Sequence, residues 1–493
     1  MAVLAKKLRE SSGRSSLLYA AIAIFVGSLI GVLITGLDNP FLILLLTGGL
    51  IVIVATVASV EAGLVLFVFL TYTRFSDNAI DYYNAPSVAK FFVVLLIIAI
   101  FIRWAILGER PMGWQVPGVI LVVYGLIGFF SLMYATNTQS VINTLNNYVK
   151  DALITLVIVV LLRRAPTFRH VIWTLLIAGL FLGALSVYQY TTGTFDNSYG
   201  GFARAELRGI AGDERGYRLT GPIGDPNFYA QIMIVLIPIA LERMMHERKL
   251  TLKLLAGLAG GLCLLTVVFT FSRGGFVAAA IALGIFFLVY TPKPQYLIII
   301  IGLGIAVFSL VPATYFDRIL TLQGFLPDAS GRIDIRTDNS IQGRASQNLT
   351  AWNVFKQHPL VGIGLDNFEV RYPEFSKEIG LAPSASNKSL HNLYFEVATE
   401  TGILGLSVFL MLIGLALRSM VQARRAFFEM PGYDEYAHLA TGLAIGFAGY
   451  LVAALFIHAA FPRYFYLLIG IAFSMPAVVE HARSTLRNGM IRA

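Results

Sequence analysis

The chain is short of charge. Asp, Glu, Lys and Arg make up 13% of its 493 residues while 57% are hydrophobic, whereas a soluble domain is about a quarter charged. That scarcity excludes a soluble globular enzyme. A single cysteine, Cys263, lies inside the apolar run GLCLLTVVF, which excludes both a disulfide framework and a cysteine metal site. No internal repeat and no low-complexity stretch stands out. No DxD-like acidic motif falls in the segments read below as outward, so neither metal nor cofactor is expected. No cleavable signal peptide is read at the start, because the first apolar run is too long for a signal core and lacks a small-residue cleavage site.

What remains is apolar sequence in lengths that cross a bilayer, at about 20 residues per helix. About fourteen such runs lie near 17–36, 41–58, 60–73, 88–107, 116–135, 150–163, 170–190, 226–243, 252–271, 275–290, 296–312, 402–420, 438–458 and 463–480. The third and sixth are short, which leaves room for half-helices. The expected fold is an all-α polytopic membrane protein of about 12–14 transmembrane helices, with a long outward loop that contains short amphipathic helices. Its parts are 1–190, 191–312 with an outward basic loop at 191–224, an insert at 313–400, and 401–493.

Thirty-seven basic against 28 acidic residues leave a formal charge of +9. In a membrane protein such an excess first reports orientation, not a nucleic-acid partner. With the basic start (Lys6, Lys7, Arg9, Arg14) in the cytoplasm, alternation of the spans puts Arg103, Arg110, Arg163, Arg164, Arg169, Arg243, Arg248, Lys249, Lys293, Arg418, Arg424, Arg425, Arg483 and Arg487 inside as well. Both termini are then cytoplasmic. The segments SDNAIDYYNAPS and TNTQSVINTLNNY read as outward loops. Two longer outward segments are nevertheless basic: 191–224, with Arg204, Arg208, Arg215 and Arg218, and 313–400, with eight Lys or Arg. A cationic outer surface fits an anionic ligand such as a diphosphate, or bound lipid headgroups.

Within 313–400, SQNLTAWNVFKQHP places Leu349, Trp352 and Phe355 at three-residue steps before Pro359, the pattern of an amphipathic helix. Gly362 and Gly364 follow as a turn. LYFEVATETGILGL begins a second helix with Asn392 as its N-cap, running up to or into the next span.

Three ionisable residues stand apart. Arg218 sits in YRLTGPIGDPNFYA, before an apolar helix near Asn227, and suits either an anion at helix-terminal amides or a pair with Asp213, Glu214 or Asp225. Arg273, in FTFSRGGFVAAA, lies between two spans with no room for a proper loop; a charge at that depth lines a cavity or snorkels to the interface. His391, in SLHNLYFE, is a potential general base or an ordinary loop histidine. Span parity puts all three at the outer face, where two guanidinium forks and a base suit transfer from a diphosphate leaving group. Asn227 reads as a helix cap or substrate contact, and Asn392 and Tyr394 as supports around His391. Arg463, and the carboxylates Asp366, Glu369, Glu396 and Glu400, read as structural, the carboxylates through salt bridges.

The pieces RLTGPIGDPNFYA, SRGG, AWNVFKQHPLVGIGLDNF and HNLYFEVATETGILGL, in this order, resemble the O-antigen ligase and O-antigen polymerase superfamily of bacterial membrane glycosyltransferases. The resemblance implies a GT-C-type fold in the inner membrane and transfer of a glycan from an undecaprenyl diphosphate carrier to a hydroxyl acceptor at the periplasmic face. The acceptor is lipid A-core in the ligase branch and another carrier-linked glycan in the polymerase branch. It also implies that Arg218 and Arg273 hold the diphosphate and that His391 is the catalytic base. A transporter or flippase of lipid-linked sugars fits less well, since its charges belong near the midplane of related halves.

Overall fold

A computed structural model describes residues 56, 59–207, 216–291, 294–295, 298, 301–302, 339–380, 389–458 and 462–490. The span expected at 17–36, all but residue 56 of 41–58, all but 298 and 301–302 of 296–312, Arg208, Arg215 and the whole of 303–338 lie outside them. The described part is helical apart from one small hairpin. Its helices are α1 (Val60–Tyr72), α2 (Phe75–Tyr83), α3 (Val88–Leu107), α4 (Gln115–Phe130), α5 (Thr138–Leu161), α6 (Ala165–Thr192), α7 (Pro226–His246), α8 (Leu250–Phe269), α9 (Arg273–Val289), α10 (Asn339–Gln357), α11 (Phe368–Glu378), α12 (Leu393–Phe428), α13 (Asp434–Ala453) and α14 (Pro462–Met490). Strands β1 (Ala205–Leu207) and β2 (Tyr217–Leu219) pair antiparallel, with Glu206 opposite Arg218.

Nine of these helices are long and apolar enough to cross a membrane, and α1 and α9 are shorter apolar helices. The chain is an all-α polytopic membrane protein. Helix α7 is the axis of the bundle, buried along nearly its whole length and packed against α8 and α13. Small residues let the backbones approach: a Cβ on Gly446 of α13 would lie 2.3 Å from the Val235 carbonyl oxygen of α7.

Two segments expected as outward loops are helices. SDNAIDYYNAPS holds α2, and TNTQSVINTLNNY opens α5, whose first turn is capped by Asn137 accepting from the Ser140 amide at 3.1 Å. Polar composition hid a helical spacing: Val141 is fully buried while Asn143 and Asn146 stay outside. The short sixth span thus becomes a 24-residue helix. The face of α10 is also corrected. Leu349 is 56% and Trp352 48% exposed, and Ala351 and Val354 make the buried face, packing with Ile363, Phe368 and Phe375.

The helix ends form two sets. At one end, Glu61 pairs with Arg103 and Arg164, and the buried Arg243 spans Glu242 (2.7 Å), Glu247 (3.4 Å) and Glu435 (2.9 Å). Arg169 joins the same carboxylates, Glu247 and Glu435. At the other end lie the 73–87, 131–137 and 270–272 connections, the described residues 193–207 and 216–225, α10, α11 and the start of α12. This second end carries the site.

Candidate active site

The hairpin sets Arg218. Its Nε donates to the Thr270 carbonyl at the C-terminus of α8 (2.8 Å) and its Nη2 to Asn227 Oδ1 (3.4 Å), a cation at the negative end of a helix. Asn227 is not the cap of α7. Asp225 is, accepting from the amides of Asn227 and Phe228 at 2.8 and 3.1 Å, which frees the Asn227 side chain to join two loops. Its Oδ1 also accepts from Ser272 Oγ at 2.8 Å. Ser272 in turn caps α9 by accepting from the Gly275 amide, so Arg273 is the first residue of that helix. Phe271 turns the corner between α8 and α9 with φ of 50°, which is how a three-residue connection suffices. Arg218 and Arg273 are 6% and 8% exposed. Arg218 bonds Asn227, whose Oδ1 accepts from Ser272, the residue immediately before Arg273.

His391 is reached from the same link. Phe228, next to Asn227, meets the His458 ring edge-on at 5.1 Å between centroids, and His458 meets His391 at 5.3 Å. The turn after α13 that carries His458 is held against α9, since a Cβ on Gly274 would lie 2.7 Å from that of Phe456. Asn392 caps α12 by accepting from the Tyr394 and Phe395 amides (3.1 and 3.2 Å). This aims His391 out of the helix start. Tyr394 donates instead to the Leu451 carbonyl at 2.9 Å, a brace between α12 and α13.

Beyond Gly402, α12 changes direction. Gly402 has φ 63°, and the exposed backbone on either side is matched by the 359–364 segment. Ile363 and Gly364 donate to the carbonyls of Thr399 and Glu400 (2.9 and 3.0 Å), while Ile403 and Leu404 donate to those of Pro359 and Leu360 (2.8 and 3.3 Å). A broken helix at this depth persists only when its freed groups are paired. Asn367 then ties the segment to α5, accepting from the Asn137 amide at 2.7 Å.

Between α4, α5, α11, α12 and α14 this leaves a cavity of about 510 Å³ with His458 in its wall. His391 does not line it. Arg463 does, paired with Asp77 at 3.1 Å and Asp151 at 3.6 Å, and Arg74 pairs with Asp77 at 2.8 Å. Burial raises the pKa of Asp77, but Arg463 and Arg74 outweigh it and hold the carboxyl low. Asp366, Glu369, Glu396 and Glu400 also line the cavity. Salt bridges were expected of these; instead Glu369 accepts from Ser389 Oγ at 2.7 Å and Glu400 from the backbone of Asp366 and Phe368. Burial, then the neighbouring Glu369, pushes Asp366 up. His458, which the sequence did not single out, is pulled below its ordinary value by burial, with Asp225 and Glu369 acting the other way. The available signal was that His458 closes one expected span and Arg463 opens the next.

Residues 258–410 match the O-antigen ligase family model. They contain the Ser272–Arg273 turn, the 359–364 crossing and His391. Over that stretch, less than half of its length, the chain is similar to the O-antigen ligase and polymerase superfamily. Its members are membrane glycosyltransferase-like enzymes acting on lipid-linked glycans. No curated protein matches the chain.

Glu242, His246 and His438 bring ligand atoms within 4.8 Å of one another. They lie at the far end of α7, and both Glu242 oxygens accept from Arg243 at 2.7 Å. A guanidinium already holds the place that a cation would take.

Proposed function

We propose that this protein moves a glycan from an undecaprenyl diphosphate carrier to a hydroxyl acceptor at the periplasmic face of the bacterial inner membrane. Lipopolysaccharide or a related polysaccharide is the product class. What supports this reading is that buried Arg218 is linked through Asn227 to Ser272, the residue before buried Arg273, and that Phe228, next to Asn227, leads through the His458 ring to His391.

In this reading the acceptor hydroxyl gives its proton to the His391 imidazole as its oxygen attacks the anomeric carbon. The bond from that carbon to the diphosphate oxygen breaks on the opposite side, with inversion. Arg218 and Arg273 neutralise the charge that develops on the departing diphosphate. Arg218 is oriented through Nε on the Thr270 carbonyl and Nη2 on Asn227 Oδ1. Asn227, through Oδ1, sets the spacing of Arg218 relative to the Ser272 turn that carries Arg273.

The test is transfer by the purified protein in nanodiscs, with a carrier-linked glycan and candidate acceptors. His391→Ala should lower transfer by about 10² to 10⁴ while leaving thermal stability unchanged. Arg218→Lys and Arg273→Lys should each cost on the order of tenfold, since an ammonium does not reproduce a bidentate fork. Undiminished transfer in the histidine variant removes it as the base. Comparing lipid A-core with a second carrier-linked glycan as acceptor separates ligase from polymerase.

A further inference from the structure

The 510 Å³ cavity falls in the usual range of ligand pockets, ~300–1,000 Å³, yet its chemistry is unsuited to a diphosphate. Its two arginines are each answered by Asp77 or Asp151. Four further carboxyls, Asp366, Glu369, Glu396 and Glu400, face the same space. Six carboxyls thus face two guanidiniums, and each that is ionised accepts from a hydroxyl or an amine and repels a carboxylate. Tyr124 and Tyr148 of the wall, 5.6 Å apart between centroids, add flat apolar faces of the kind on which sugar rings stack. His458 completes the wall, with a buried Nδ1 that has no hydrogen-bond partner among the described residues.

We infer that this cavity seats the acceptor glycan, and that it selects sugars bearing no carboxylate: neutral or amine-bearing residues rather than uronic or other acidic sugars. The inference rests on the transferase reading for the word acceptor. His458 lines the cavity and its ring meets that of His391, so a glycan seated there would extend its reactive hydroxyl past that ring to the base. The diphosphate lies on the arginine side.

The experiment measures binding, not turnover. The full chain in nanodiscs is titrated with three size-matched trisaccharides, of N-acetylglucosamine, glucosamine and galacturonic acid, by calorimetry and saturation-transfer NMR. The first two should bind and the third should bind roughly tenfold or more weakly, from like-charge repulsion. In Asp366→Asn/Glu369→Gln the penalty on the acidic trisaccharide should shrink by about threefold or more. The inference is overturned if the acidic trisaccharide binds as well as the neutral one, if none binds, or if the variant leaves the penalty unchanged. It is also overturned if a carrier-linked donor displaces the bound neutral trisaccharide. Selective binding by a protein that transfers no glycan would sustain the cavity assignment and sink the transferase reading instead. Arg218→Lys should keep trisaccharide affinity in either case.

Discussion

At the scale of single residues, His458 is held in contact with both halves of the site, touching Phe228 on the arginine side and His391 on the other. Burial lowers its pKa beneath the ordinary 6.5, more than Asp225 and Glu369 raise it. The folded state therefore favours the neutral ring. Below about pH 6.5 the unfolded chain binds a proton there that the folded chain resists, so the contribution to stability is complete above that pH. It is lost progressively as the pH falls towards the folded value. The melting temperature in detergent should drop between about pH 7 and pH 5, and His458→Gln should make that drop shallower. Equal slopes for the two proteins would show that His458 is not the group responsible. Asp366, raised by burial and Glu369, titrates in the opposite sense and so opposes the trend in both proteins alike.

At the scale of elements, the break in α12 joins two motifs that are forty residues apart in sequence order but share one set of hydrogen bonds. Gly402 cannot carry a side chain: its φ is 63° and a Cβ would lie 2.3 Å from the Leu360 carbonyl carbon. Gly362, with φ 72°, would place a Cβ 2.4 Å from the carbonyl carbon of Glu400. Neither neighbour is a side chain that swings away. Gly402→Ala and Gly362→Ala should each destabilise the protein by about 2 kcal/mol or more, read as a fall in thermal unfolding temperature in detergent. Gly414→Ala in the same helix, where a Cβ meets nothing within 4 Å, should be neutral or slightly stabilising. A matching loss at Gly414 would mean that α12 tolerates no alanine at all and that the crossing is not what constrains the other two. Asn392 as an N-cap announced a helix that runs up to or into the next span, and the two glycines announced a turn. That the turn fills the gap in the helix was not legible, because backbone pairing between distant segments leaves no periodic mark in either. Likewise Arg218, Arg273 and His391 stood out as charges in apolar surroundings. The cavity did not, since Tyr124, Tyr148 and Asp366 are unremarkable until α4, α5 and the 359–367 segment meet.

At the scale of the whole molecule, cations are sorted by end. Among the described residues, Arg103, Arg110, Arg163, Arg164, Arg169, Arg243, Arg248 and Lys249 all lie at the end opposite the site, as do Arg418, Arg424 and Arg425. Short basic connections of this kind are retained in the cytoplasm, so the end with Arg218 and His391 should face outward. Only this orientation lets the site meet a carrier-linked glycan on the periplasmic side. The native sequence is convenient for a test, because its one cysteine, Cys263, is buried and should not react with a polar maleimide. Asp196, exposed after α6 at the site end, and Met112, 62% exposed between α3 and α4 at the other, mark the two faces. In cells with a permeable outer membrane, Asp196→Cys should label with a membrane-impermeant maleimide, and Met112→Cys should label only after the inner membrane is opened. The reverse pattern would put the arginine junction in the cytoplasm, where an acceptor assembled on the outer leaflet never reaches it, and the proposed reaction would fail on topology whatever the chemistry of its residues.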